Sequence, residues 1–206
     1  GERVAPEIVM IGDSITHFWA GEPQARIQNG PKAWAELFGS RRVLNLGFGW
    51  DRTQNVLWRL DHGEFDGLSP RYVVINIGNE PIGNTNAAQW TAASAAAVKR
   101  MRDNGFQHLL MVDAPNWGQD WQYVMRDTAQ TVLDADSMGN TVLSIHMYSV
   151  FNTASSIINY LDAIKAKGWP LVIGEFGWQY DASQVDDQTI LAESVKRGLG
   201  YLGWSW

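Results

Sequence analysis

Short apolar runs of strand length recur along this chain, with longer helix-like stretches between them. That alternation constrains the fold more than any other feature. The runs cover residues 7–12, 42–47, 72–77, 108–113, 141–146, 171–175 and 201–204. Their near-continuous apolar character suits strands covered on both faces, as in parallel sheets. Residues 87–103 are Ala-rich and stop at Asn104-Gly105, a good helix end. Residues 154–167 stop at Gly168 with Pro170 beyond, and 187–197 opens with acids, which suit a helix N-terminus. Residues 31–38, 52–60 and 120–136 are further helix candidates. Strand starts lie roughly 30–35 residues apart, the length of a βαβ unit. The class is α/β with one seven-stranded, mainly parallel sheet and right-handed crossovers. A closed barrel requires eight strands and about 250 residues, and a doubly wound open sheet is the other solution.

Composition narrows the chemistry. The chain has 206 residues, 45% hydrophobic and 18% charged, which excludes wholesale disorder. A net charge of -6 and the lack of a Lys/Arg cluster argue against a nucleic-acid partner. No apolar run approaches the roughly 20 residues of a membrane span. The opening Gly-Glu-Arg-Val-Ala-Pro reads as no secretory signal. Without cysteine there is no disulfide, thiolate metal site or thiol nucleophile. Eleven tryptophans are many for this length; they suit sugar stacking and interior bulk equally.

In both α/β architectures reactive groups sit where strands end. Those positions hold Asp13-Ser14, Gly47, Asn79-Glu80, Asn116-Trp117, His146 with Tyr148, Glu175, and Trp204 with Trp206. Glu80 and Glu175 are the sharpest pair. Retaining glycoside cleavage uses two carboxyls about 5–5.5 Å apart, one protonated and one ionised. Read from spacing alone, helix caps or ion-pair partners explain both glutamates equally well. Ser14 after Asp13 fits a nucleophile on a tight turn, but also an ordinary helix cap. Of four histidines, His17 and His62 read as surface loop residues, and His108 opens a strand at the wrong end. Only His146 is well placed, and no triad acid adjoins it. Asp113 and Asp120 read as flanks of a solvated Trp loop. No metal-ligand spacing or phosphate loop is present, so no metal and no cofactor are expected.

Two resemblances emerge from the motifs. Gly12-Asp13-Ser14-Ile15-Thr16, the run from Arg42 to Gly49, and Asp51 to Leu60 resemble SGNH (GDSL-type) esterases of flavodoxin-like fold, over residues 1–78. Asn79-Glu80-Pro81, Met111 to Trp121, Ser144-Ile145-His146-Met147-Tyr148, Gly174-Glu175-Phe176-Gly177 and Gly203-Trp204-Ser205-Trp206 resemble glycoside hydrolase family 5 β-mannanases, which are TIM barrels. The second resemblance implies Glu80 as acid/base and Glu175 as nucleophile, supported by Asn79, His146 and Tyr148. Trp204 and Trp117 become sugar platforms, and β-mannan oligosaccharides the ligand. A secreted parent is also implied. The first resemblance leaves Ser14 and Gly47 as remnants. That family's late Asp-x-x-His is absent, and its Gly-x-Asn reads Gly78-Asn79-Glu80. The glycosidase family's early Arg and His are absent too.

These departures lead to one expectation and two alternatives. The expectation is an engineered chimera without efficient catalysis, a flavodoxin-like fragment (1–78) joined to a barrel fragment (79–206) inside the strand 71–77. It forms one chimeric domain with strand order 2-1-3-4-5-6-7, barrel-like or partly open. An open edge invites homo-oligomers. The first alternative is a weak retaining endo-β-1,4-mannanase-type hydrolase. The second is a non-catalytic sugar-binding module using Trp117, Trp178, Trp204 and Trp206.

Overall fold

A computed structural model describes residues 5–19, 26, 28–76 and 86–204. The chain divides into two compact units, Gly1–Gly78 and Asn79–Ser205. The first contains β1 (Ile8–Gly12), α1 (Ser14–Phe18), α2 (Pro31–Phe38), β2 (Val43–Gly47), α3 (Thr53–Asp61) and β3 (Tyr72–Asn76). Its sheet is parallel, in the order β2-β1-β3. All five residues of β1 are buried because it is central, whereas β3 alternates exposed Tyr72 and Val74 with buried Val73 and Ile75. The α2 helix buries no residue.

The second unit continues with α4 (Trp90–Asp103), β4 (Leu110–Asp113), α5 (Val124–Thr128), α6 (Gln130–Asp134) and β5 (Thr141–Met147). After these come α7 (Ala154–Ala166), β6 (Leu171–Phe176), β7 (Gln179–Tyr180), β8 (Ser183–Gln184), α8 (Asp187–Arg197) and β9 (Gly200–Gly203). Strands β4-β5-β6-β9 form a parallel sheet, and β7-β8 an antiparallel pair. Central β5 and β6 carry the core residues Leu143, Ile145, Met147 and Ile173. From α7, Ile157, Tyr160, Leu161 and Ile164 are buried at helical spacing, one stripe of the helix. Burying each such aliphatic side chain is worth roughly 1.5–3 kcal/mol. Thr153 caps α7 by accepting from the Ser156 amide, and Asp186 caps α8 by accepting from Thr189.

A buried ion pair ties α4 to the segments around β4 and β5. Arg102 donates from Nε to Asp136 Oδ1 at 2.6 Å and from Nη2 to Oδ2 at 3.0 Å. Its remaining donors reach the carbonyls of Phe106, His108 and Asn140. Asp136 also accepts from the Thr141 hydroxyl and the amides of Met138 and Asn140. Arg102 holds the Asp136 carboxyl well below the usual carboxylate range, against the opposing effect of burial. Such a pair is tolerable inside the fold because nearly every donor and acceptor is engaged.

Several expectations need correction. Among the described residues the parallel strands form sheets of three and four, not one sheet of seven, and neither closes into a barrel. Closure of a barrel of this type takes eight strands with matched tilt and shear; here each sheet keeps edges instead. The order 2-1-3 and the order of the last four strands are as expected. The strand expected at 108–113 is β4, from Leu110, and Ile77 lies outside the described residues. The helix expected at 120–136 starts late, because residues up to Tyr123 follow a loop, and it is divided at Ala129 into two short helices. His17 lies in α1 rather than a loop, and its Nδ1 accepts from the Gly49 amide at 3.1 Å.

Candidate active site

The C-terminal ends of β4, β5 and β6 bring acidic, imidazole and phenol groups together. Pairing of β5 with β6 runs Ser144 to Val172 and Ile145 to Ile173, then shifts so that His146 faces Glu175. Gly174 is therefore an extra residue in β6. Such a bulge changes which face the following side chain takes. A Cβ at Gly174 would lie 2.0 Å from Ser144 Oγ, so no larger residue fits that backbone path.

Glu175 is buried here. The Tyr148 hydroxyl donates to its Oε1 at 2.6 Å, and His146 Nδ1 lies 3.7 Å from its Oε2. His146 Nε2 stands 3.4 Å from Asp113 Oδ1 at the end of β4. The His146 amide donates to the Gly118 carbonyl at 2.8 Å. Gly118 has φ of +73°, and a Cβ there would lie 2.3 Å from the imidazole Cγ. Glycine thus serves both the left-handed backbone and close approach to the ring.

The segment after β4 is strained and anchored. Asn116, Trp117, Asp120 and Tyr123 all have positive φ. Asp120 Oδ1 accepts from the Met125 amide, and its Oδ2 from the Arg126 amide and the Tyr160 hydroxyl. Burial pushes the Asp120 carboxyl up, opposed chiefly by the Arg126 amide and the Tyr160 hydroxyl. Burial and the adjacent Asp120 raise the Tyr160 phenol, which keeps it a donor. Asp113 and Asp120 are therefore not solvated loop flanks: they are 5% and 0% exposed. Their role was missed because local polarity does not reveal burial.

Glu175, His146 and Tyr148 are brought together, while Trp117 and Trp204 are exposed near strand ends of the same unit. Trp204 is tied down by its amide, which donates to the Phe176 carbonyl at 2.7 Å. Tyr180 of the β7-β8 pair lies 5.5 Å, ring to ring, from Tyr148. Glu80, Asn79 and Trp206 lie outside the described residues. In the first unit Asp13 accepts from the Ile15 amide as the cap of α1, of which Ser14 is the first residue. The Gly47 amide donates to Asn45 Oδ1 at 2.8 Å, so it is already engaged. No group of three or more potential metal ligands occurs among the described residues. No described helix is long and apolar enough to cross a membrane.

Known proteins supply the frame for this geometry. Platelet-activating factor acetylhydrolase IB subunit alpha1 of Bos taurus is 36% identical over 107 residues, 52% of this chain and 42% of that protein. Mannan endo-1,4-beta-mannosidase of Streptomyces lividans is 45% identical over 168 residues, 82% of this chain. The chain spans only 42% of that relative's length. The crystal structure of a beta-mannanase from Streptomyces thermolilacinus with mannohexaose has a TM-score of 0.71 and 41% identity. That match covers 97% of this chain and 69% of the other. The cellulase profile (glycosyl hydrolase family 5) matches residues 57–206, which is most of the chain. With polar strand-end residues on a parallel α/β sheet, and relatives of this identity, the chain belongs to glycosyl hydrolase family 5.

Proposed function

We propose that the chain acts as a retaining glycoside hydrolase of endo-β-1,4-mannanase type, with Glu175 as nucleophile and Glu80 as acid/base. The observation that carries this reading is the bulge at Gly174, with Glu175 beside His146 and a 2.6 Å bond from Tyr148. A phenol donating to a carboxylate at this distance fixes the orientation of the attacking group. Glu175 attacks the anomeric carbon while Glu80 protonates the departing glycosidic oxygen. Glu80 then takes a proton from the water that releases the glycosyl-enzyme. Asn79 and His146 support the two carboxyls. The exposed indoles of Trp117 and Trp204 offer faces for sugar rings.

The test is release of shorter oligosaccharides from mannohexaose, with product anomers followed by proton NMR. Retained configuration is expected, and Glu175→Gln or Glu80→Gln should each lower turnover about 10³-fold or more. Unchanged turnover in Glu175→Gln would overturn the reading.

A second reading is favoured by the 36% identity with the acetylhydrolase subunit. It makes the chain an engineered join of two hydrolase pieces within 71–77, with inefficient catalysis because early site residues are missing. It predicts that aryl acetate hydrolysis is the same in the parent and in Ser14→Ala. A drop in the variant would show a working serine site and sink the remnant assignment. Exposed Tyr72 and Val74 on β3, and Tyr201 and Leu202 on β9, support self-association, which sedimentation velocity checks.

A further inference from the structure

We propose that Asp113 is a positioning residue for His146, holding a proton on the imidazole Nε2 and thereby setting the charge that faces Glu175. Its catalytic consequence rests on the glycosidase reading above; the proton placement does not.

The backbone of Asp113 is fixed on two sides. The buried Trp90 indole donates to its carbonyl at 2.7 Å, and the next amide, Ala114, donates to the Ser144 carbonyl at 2.9 Å. The side chain is buried, yet Oδ1 makes no hydrogen bond by strict geometry. A buried carboxylate oxygen without a donor is costly, and structures rarely leave one. His146 Nε2 stands 3.4 Å away, at ion-pair distance. A proton on that nitrogen supplies the missing donor.

The ring is closely confined by its described neighbours. Gly118 closes over its Cγ and Nδ1, with no space for a Cβ. Asp113 at the end of β4 faces Nε2, and Glu175 on β6 faces Nδ1 at 3.7 Å. Tyr148, just beyond β5, meets Glu175 rather than the ring in its 2.6 Å bond. The neutral Ser144 hydroxyl, two residues before His146 on β5, is buried and also lacks a partner by strict geometry. Among the described titratable groups, then, carboxylates flank the imidazole on two sides. Two such neighbours favour the imidazolium, and when that ion loses a proton Asp113 selects the Nε2–H tautomer.

The experiment uses the full chain with ¹⁵N-labelled histidine, the His146 signals being assigned with His146→Gln. In the parent protein the neutral form above the titration midpoint should carry its proton on Nε2. Asp113→Asn keeps the size and one acceptor but removes the charge, and should lower the His146 midpoint by roughly one pH unit or more. Mannohexaose kcat should fall about 10–100-fold, with KM nearly constant and the pH profile moving with the midpoint. An Nδ1–H tautomer in the parent overturns the proposal even if the variant fails to fold. An unchanged midpoint in a folded Asp113→Asn overturns it as well. If the parent shows no turnover but the midpoint moves, the glycosidase reading fails and the role of Asp113 stands.

Discussion

The two units use polar residues differently. In the unit holding residues 86–204, the strand ends bury Asp113, His146 and Glu175 over a broad apolar layer that includes Trp90, Leu143, Ile145, Ile157 and Ile173. In the unit holding residues 5–76, the buried apolar set is short: Ile8 to Ile11, Val56, Val73 and Ile75. Its strand ends are Gly12, Gly47 and Asn76, and Asn45 spends its amide on backbone groups of Thr16 and Gly47. Its main ion pairs, Arg59 with Asp51 and Glu64, are only partly covered. Charged groups can be held out of water only where other elements satisfy them and apolar layers keep them in place. Trp90 is fully buried with its N–H satisfied, whereas Trp50 is 97% exposed. Tryptophan does not follow that division, since Trp117, Trp178 and Trp204 of the second unit are exposed as well.

This contrast can be broken by substitution. The largest effect is expected from Arg102→Met, which leaves Asp136 buried without its cation. A loss of about 3–5 kcal/mol should appear in urea unfolding. Amide exchange should speed up at Ile145 and Ile173 and not at Val9 and Ile11. Equal acceleration in both units would break the distinction.

Gly174→Ala should come next. Its new methyl meets Ser144 Oγ, with a cost of about 1–3 kcal/mol and displacement of Glu175. Pairing it with Ser144→Gly should recover part of the loss if that clash is the cause, which denaturant titration of the double variant checks.

Stability against pH sharpens the comparison within the second unit. Asp136 has a lowered folded value. Its contribution is complete above the ordinary aspartate value of 3.8 and is lost as pH falls through the folded value. Asp120 has a raised folded value. Its contribution is complete below 3.8 and is lost as pH rises through the folded value. Urea titrations from acid to neutral pH should therefore change slope in opposite senses in Asp136→Asn and Asp120→Asn. Matching slopes would contradict these assignments.

The smallest effect is expected at α2. Leu37→Gln changes an exposed side chain on a helix with no buried residue, so the shift should stay within about 0.5 kcal/mol. A larger loss would mean that this helix carries more of the first unit than its exposure suggests.

Much of the framework was legible in local pattern. The runs at 7–12, 141–146 and 171–175 are strands because uninterrupted apolar residues suit only central, doubly covered positions. The helix at 154–167 followed from its Gly168 stop with Pro170 beyond, and its buried stripe appears in the structure. Strand-end position singled out His146, Tyr148 and Glu175 before any contact among them was known. The helix break after Asp120 was not legible, because it depends on a left-handed loop held by Tyr160, 40 residues away.

Taken alone, the sequence determined the α/β class, the strand and helix segments, and the polar residues at strand ends, since hydrophobic periodicity reports burial directly. Only the tertiary structure decided the division into two sheets, the extra residue at Gly174 and the burial of Asp113 and Asp120. Register and desolvation are set by neighbours distant in the chain, and no local pattern carries that information.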